Sequence, residues 1–317
     1  MKRLAVLVLV GAFTVCAWAA PAAKKAPAAK QKPTEKVEIL IVESGAYVAG
    51  QEDPRLTMGL GEFLQAEPVV TKLTQLQAMQ DPTLANLDYS FLPLYLIKKT
   101  DDIRSKMETH LKRGIVQETA DYIVLSRQTR SGVYTNKEPK PNEMEIFVMS
   151  QCPYGVMAEN AVVEAQNQGT FPSDKTVKLR YIVSYNPQAG FSSMHGSAEW
   201  EEDVRQLLIA KYYPAKLWKY LSIRNKDYRS SRWDKAMKEA GINPDKIMKK
   251  FDTEGLELLK AEAAYGKEYG ISASPTFLWE GQVLMDSGMA SQIEGFSFLN
   301  PNKARKGAAA QVPSGSC

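Results

Sequence analysis

At 317 residues, 44% hydrophobic and 24% charged, the chain has the composition of a globular protein long enough for two domains, and it shows no repeat or coiled-coil pattern. The formal net charge is only +4, and no basic patch interleaved with aromatics points to nucleic acid. Two histidines and no CxxC pair leave no zinc or haem site, and no glycine-rich phosphate loop lies between a strand and a helix.

In chain order, Lys2 and Arg3 precede an apolar run over 4–15 that is too short to span a bilayer. Ala17, Trp18 and Ala19 then give the small-x-small pattern that a signal peptidase reads. The expectation is an exported, periplasmic protein with a signal peptide at 1–19 and no transmembrane helix in the mature chain. Cys16 raises the alternative of a lipid anchor, but Val15 stands where a lipobox wants a small residue. Residues 20–36, mostly Ala, Lys and Pro, read as a flexible basic linker.

An N-terminal α/β domain is expected over 37–134. Its strands fall at 37–42, 91–97 and 122–125 and its helices at 69–79 and 102–113, the second ended by Gly114. Pro93 marks the strand over 91–97 as an edge or special strand. His110 reads as a solvated helix residue rather than a metal ligand. Thr135 to Glu143, with Pro139 and Pro141 among charges, is the linker expected between domains.

The second domain is expected over 144–300. An apolar strand ending at Val148 leads to Cys152, a helix over 156–168 and a second strand over 176–184, a parallel βαβ unit. A loop over 185–196 precedes a block of helices over 198–213, 214–221, 232–240 and 244–269. Pro275 then opens a hairpin that turns at Glu280 and Gly281, a helix over 291–299 closes the domain, and 301–317 is a flexible tail ending in Cys317.

Cys152 sits where a strand breaks into a helix. Free backbone N–H groups and the positive end of the helix dipole favour a thiolate there, and Pro153 suits the first helical turn. A proline before a buried strand cannot be an ordinary ladder donor, and a cis bond between Ser274 and Pro275 resolves that conflict.

Strand, Cys152-Pro153-Tyr154-Gly155, helix, strand, helical insertion and then Ser274-Pro275-Thr276 before a hairpin resembles the thioredoxin superfamily, and the inserted helices resemble its DsbA-like branch. The resemblance covers roughly 144–299. It implies a C-terminal thioredoxin fold with a helical insertion, and Leu92-Pro93-Leu94-Tyr95 suggests that the smaller α/β domain before it is a degenerate thioredoxin-like unit. It also implies that Cys152 is the attacking thiol and that Pro153, Tyr154, Ser274, Pro275 and Thr276 form the substrate groove. Ser193-Met194-His195-Gly196 with Glu199 is similar to the signature of gamma-interferon-inducible lysosomal thiol reductases, but Ser193, Trp200 and Leu208 replace that signature's cysteines.

Gly155 occupies the place of the second cysteine, so the site has no internal CxxC disulfide. The function expected is thiol–disulfide exchange in the cell envelope through one cysteine, on protein or small-molecule thiols and disulfides, with a redox partner protein and no cofactor or metal. Cys317 is a candidate resolving thiol. The rival reading is a redox-inactive peptide-binding module or holdase. Among other residues, His195 is read as structural and Glu199, Glu201, Glu202 and Asp203 as acids favoured by a helix start. The aromatics Tyr212, Tyr213, Trp218, Tyr220, Tyr228 and Trp233 are read as core.

Overall fold

The computed structural model describes residues 35–45, 47–125 and 131–302. The signal peptide, Cys16, nearly all of the linker before residue 36, and the tail from 303 to Cys317 lie outside the described residues.

β1 (Lys36–Glu43) alternates with period two, sending Val37, Ile39 and Ile41 into one core and Val42 into another, as a strand covered on both faces must. Asp53 caps α1 (Pro54–Leu64), and β2 (Glu67–Thr74) returns parallel to β1. The helix expected over 69–79 is therefore β2 followed by the short α2 (Gln75–Gln80). Val69, Val70 and Thr71 are β-branched and prefer the strand, and the helix starts only where Thr74 and Gln77 close a reciprocal capping box. β3 (Phe91–Leu92) and β4 (Leu94–Lys98) lie on either side of a cis Leu92–Pro93 bond. α3 (Asp101–Lys112), β5 (Gln117–Glu118) and β6 (Tyr122–Leu125) follow. The first sheet runs β2-β1-β4-β6-β5, with β4 antiparallel to both β1 and β6. α3 lies between β4 and β5 in sequence, and β5 pairs antiparallel with β6 at the edge of the sheet.

β7 (Gly132–Tyr134) leads to β8 (Glu143–Val148), α4 (Pro153–Asn167) and β9 (Thr176–Tyr181), the last parallel to β8. A small hairpin, β10 (Ser184–Asn186) with β11 (Gly190–Ser192), occupies the expected loop. The insertion comprises α5 (Ser197–Tyr212), α6 (Leu217–Arg224), α7 (Trp233–Glu239), α8 (Pro244–Met248) and α9 (Leu256–Glu268). A π-type turn at Phe251–Gly255 breaks the single helix expected over 244–269. β12 (Thr276–Trp279) and β13 (Val283–Met285) form the hairpin, its turn carrying Glu280 (φ 53°) and Gly281 (φ 71°) in the left-handed region. After α10 (Ser287–Ala290), the closing helix expected over 291–299 is reduced to a 3₁₀ turn at Ser297–Leu299.

The second sheet runs β3-β7-β13-β12-β8-β9. Its last four strands have the order and directions of a thioredoxin fold. β3 and β7, however, come from the stretch assigned to the first domain, and Tyr134 N–H donates to the Gln282 carbonyl at 2.8 Å. Residues 135–143 thus connect two strands of one sheet, and both sheets fall within one compact unit. Along β8, Met144, Ile146 and Val148 enter the main core with Val162, Leu208, Tyr220 and Phe277, while Phe147 packs on the opposite face with Tyr134, Tyr269 and Leu278. Of the inserted aromatics, Tyr220 is buried and Tyr213, Trp218 and Trp233 pack against that core, but Tyr212 is exposed.

Candidate functional site

The site lies at the C-terminal end of β8. There the Cys152 N–H donates to the Met149 carbonyl at 2.9 Å, and its own carbonyl accepts from Val156 N–H at 3.0 Å, which opens α4 with Pro153 in the first turn. Cys152 is the N-cap residue, but its Sγ caps nothing; the thiol donates to the Ser274 carbonyl across 3.7 Å. The Ser274–Pro275 bond is cis. Ser274 Oγ accepts from Met149 N–H at 3.0 Å, and Thr276 Oγ1 donates to the Ala273 carbonyl at 2.6 Å as β12 begins. Tyr154 and Pro275 line a small apolar pocket of about 60 Å³ with Met157, Ala161, Phe277 and Leu299. The structure therefore brings Cys152, Pro153, Tyr154, Ser274, Pro275 and Thr276 together. It also closes over the thiol, because Cys152 is 0% exposed.

Gly155 is fixed by this packing. A Cβ there would meet Ser274 Oγ at 2.6 Å, Met149 O at 3.2 Å and the Val148 Cβ at 3.2 Å, so the serine hydroxyl fills the space that a second cysteine needs. Gly155→Cys is expected to cost about 1–3 kcal/mol through overpacking and to leave Cys152 without an intramolecular disulfide. Adding Ser274→Ala should recover part of that loss, because the substitutions share one clash. Urea unfolding of the single and double variants checks this; a Gly155→Cys protein as stable as the parent contradicts it.

The acids at the start of α5 have another origin than a helix dipole. Glu201 is partly exposed, but Glu199, Glu202 and Asp203 are buried. Glu199 Oε2 accepts from Gln151 N–H at 3.1 Å and contacts His195 Nδ1 at 2.6 Å, while its Oε1 accepts from His195 N–H at 3.2 Å. Ser150 Oγ donates to the Glu199 carbonyl at 3.1 Å. The insertion thus grips the turn that carries Cys152, and His195 belongs to that grip. Glu202 is satisfied by Arg205 Nε at 2.9 Å, Tyr220 OH at 2.7 Å and Gln206 Nε2 at 3.1 Å, and the charges of Arg205 and Arg224 hold its carboxyl below the usual range against the opposing effect of burial.

The burial of two further carboxyls escaped the sequence reading, which did not single out Glu159 and gave Asp203 to a helix start. Glu159 on α4 has one oxygen accepting from Asn225 Nδ2 at 2.8 Å and the other buried without a hydrogen bond. Burial, reinforced by the charge of Glu202, pushes it up to about 8. Asp203 is also buried, and burial together with the charges of Glu199 and Glu202 outweighs the opposing effect of the neighbouring Ser150 and raises that carboxyl well above its ordinary value. The only signal in the sequence was a glutamate on the apolar side of the helix that follows Cys152.

Among the described residues, no group of three or more His, Cys, Asp or Glu side chains is arranged to hold a metal ion, and no helix is long and apolar enough to cross a membrane.

No family model matches the chain, and no curated protein matches it. Solved structures similar to it include the disulfide interchange protein DsbA from Klebsiella pneumoniae, 13% identical with a TM-score of 0.36, covering 56% of this chain and 94% of that one. The disulfide oxidoreductase DsbA from Proteus mirabilis is 12% identical with a TM-score of 0.36, covering 59% and 98%. Oxidised BdbD from Bacillus subtilis is 14% identical with a TM-score of 0.37, covering 55% and 88%.

Proposed function

We propose that the protein carries out thiol–disulfide exchange in the cell envelope through Cys152 as its single nucleophile. The observation that carries this is the placing of the Cys152 thiol, at the start of α4, against the carbonyl of the residue before Pro275, 3.7 Å away. The thiol loses its proton to solvent and the thiolate attacks a substrate disulfide. The Cys152 mixed disulfide forms, the substrate's sulfur–sulfur bond breaks, and the departing thiolate takes a proton. An outside thiol then attacks the substrate sulfur of the mixed disulfide, taking the substrate and freeing Cys152, or Cys317 attacks Cys152 Sγ, releasing the substrate thiol and leaving a Cys152–Cys317 disulfide that outside thiols reduce. Pro153, Tyr154, Ser274, Pro275 and Thr276 hold the substrate, and no cofactor takes part. Because the thiol is covered at rest, exchange requires the 272–275 loop to swing off it. The export signal at 1–19 supports a periplasmic site of action, with a redox partner protein supplying the outside thiol.

The complete burial of Cys152 favours a second reading, a redox-inactive module that binds peptides beside Tyr154 and Pro275. One experiment separates the two. The full chain carrying Cys16→Ser and Cys317→Ser is incubated with 2-hydroxyethyl disulfide under native conditions, and the intact mass is measured after acid quench. A mixed disulfide at Cys152, absent when Cys152→Ser is added, is the expected result. Absence of any adduct in the folded protein overturns the exchange reading in favour of the binding module. Restoring Cys317 should shorten the life of the adduct if it resolves Cys152; an unchanged lifetime removes it from that role.

A further inference from the structure

A second cavity lies apart from the small pocket beside Tyr154. It is a groove of about 610 Å³ between the segment that follows β9 and the C-terminal half of α9. One wall is Ile182 to Tyr185 and Pro187; the other presents Ala263, Ala264 and Gly266, with Lys260 and Lys267 among the lining residues. β9 runs parallel to β8, and Ile182 N–H donates to the Val148 carbonyl at 2.8 Å, so this wall leaves the sheet at the end where Cys152 sits. The groove's last lining residue, Ile271, is followed directly by the 272–274 segment whose final carbonyl meets Cys152 Sγ.

The charge of the groove is one-sided. Lys260 and Lys267 stand two helical turns apart on α9, roughly 10 Å along its axis. Neither has an ion-pair partner among the described residues, although Lys140, Lys211 and Lys250 all do. The Lys260 ammonium lies 5.2 Å from the centre of the Tyr185 ring, which steadies it beside the groove. The wall between the lysines is built from alanine and glycine, and a Cβ at Gly266 would meet nothing within 4 Å, so chain can approach the helix closely there. The protein's own ends are poor occupants for such a site. Lys24, Lys25, Lys30 and Lys32 precede the fold, and Lys303, Arg305 and Lys306 follow it, all of the same sign as the groove.

We propose that this groove is a docking site for an acidic segment of the polypeptide substrate, seated by Lys260 and Lys267 while the neighbouring cysteine of that substrate reaches Cys152. The proposal rests on the exchange reading above and adds a substrate class to it. Its occupant is an extended peptide with carboxylates several residues from a disulfide. The lysine charges draw in those carboxylates, and Tyr185 and Ile182 cover the apolar side chains between them.

The test uses the full chain with Cys16→Ser and Cys317→Ser and two synthetic peptides. Both carry one cysteine as a mixed disulfide with 2-mercaptoethanol, flanked on one side by three glutamates in the first peptide and three lysines in the second. The rate of mixed-disulfide formation at Cys152 is read for each. The acidic peptide is expected to react at least tenfold faster at low salt, with the preference shrinking as salt rises. Lys260→Glu with Lys267→Glu should abolish or invert that preference, whereas the same charge change at exposed Lys226 and Lys238 should leave it. Equal rates for the two peptides, or a preference that the Lys260 and Lys267 variant retains, overturns the docking site while leaving exchange intact. Failure of every disulfide to react, including 2-hydroxyethyl disulfide, overturns the exchange reading and this proposal with it.

Discussion

Glu145→Ala is expected to lower stability by about 3–5 kcal/mol, more than any other single change considered for this protein. Glu145 lies on β8 and is 0% exposed, in a strand otherwise given over to core. Its Oε1 accepts from Arg180 at 2.6 Å, and its Oε2 accepts from Lys140 Nζ at 3.0 Å and Tyr265 OH at 2.7 Å. Arg180 passes on to Glu262 at 2.7 Å and lies 4.2 Å from the Tyr265 ring centre. One carboxylate therefore fastens β8 to β9 and to α9. Removing it leaves the guanidinium short of a partner in a place where water is scarce. Lys140→Ala should cost under about 1 kcal/mol, since that ammonium is more than a third exposed and solvent replaces its partner. Thermal unfolding reads the difference as a fall of roughly 6–20 °C for Glu145→Ala. A loss no larger than that of Lys140→Ala refutes the assignment. Burial alone would raise the Glu145 carboxyl, but the Tyr265 hydrogen bond and the charge of Arg180 outweigh it and hold the group below its usual value. The stability it contributes is present above the unfolded-state value and is lost as pH falls through the folded one.

Glu159→Gln is expected to act in the opposite direction and to stabilise the protein at neutral and alkaline pH. The folded protein keeps this carboxyl protonated up to about 8, while the unfolded chain releases the proton near the model value of 4.5. Its contribution is complete below the unfolded value and drains away as pH rises toward the folded one, at roughly 1.4 kcal/mol for each pH unit. Glutamine has the shape of the protonated acid, can still accept from Asn225, and carries no proton to lose. The variant should therefore gain about 3 kcal/mol over the parent at pH 7 and nothing at pH 4. Denaturant unfolding at both pH values decides the matter; a gain that does not vary with pH, or a loss at pH 7, rejects the account.

The parts of the structure legible in the sequence were those set by local pattern. The apolar run ending at Val148, the break at Cys152 and Pro153, the period-two strand after Thr176 and the Glu280–Gly281 turn place the βαβ unit and the hairpin. The parts that were not legible depend on partners far along the chain. Gly132–Tyr134 is too short to show any period, and only pairing with Val283–Leu284 makes it a strand of the second sheet; nothing in the strand expected over 91–97 showed that Phe91–Leu92 would leave it to pair with Val133 and Tyr134. Val69–Met79 has apolar residues at a helical spacing, yet the β-branched run won once β1 was available as a partner. Glu145 and Glu199 carried no mark of burial, because a charged letter reads the same whether water or an arginine faces it. The site divided in the same way: Cys152 and Pro275 follow from the order of elements, but the Glu199 grip on Gln151 and the lid that Ser274 forms over Gly155 are products of packing.

The border of the second sheet has a consequence for how the chain leaves the ribosome. β13 is flanked by β7, and β7 by the two-residue β3, both of which precede it by many residues. As the polypeptide is made, the strands that will cover the side of β13 are already present when β13 emerges. The hairpin never offers a bare row of N–H and C=O groups to a neighbouring nascent chain, and the outermost strand left at the finished border is too short to recruit one.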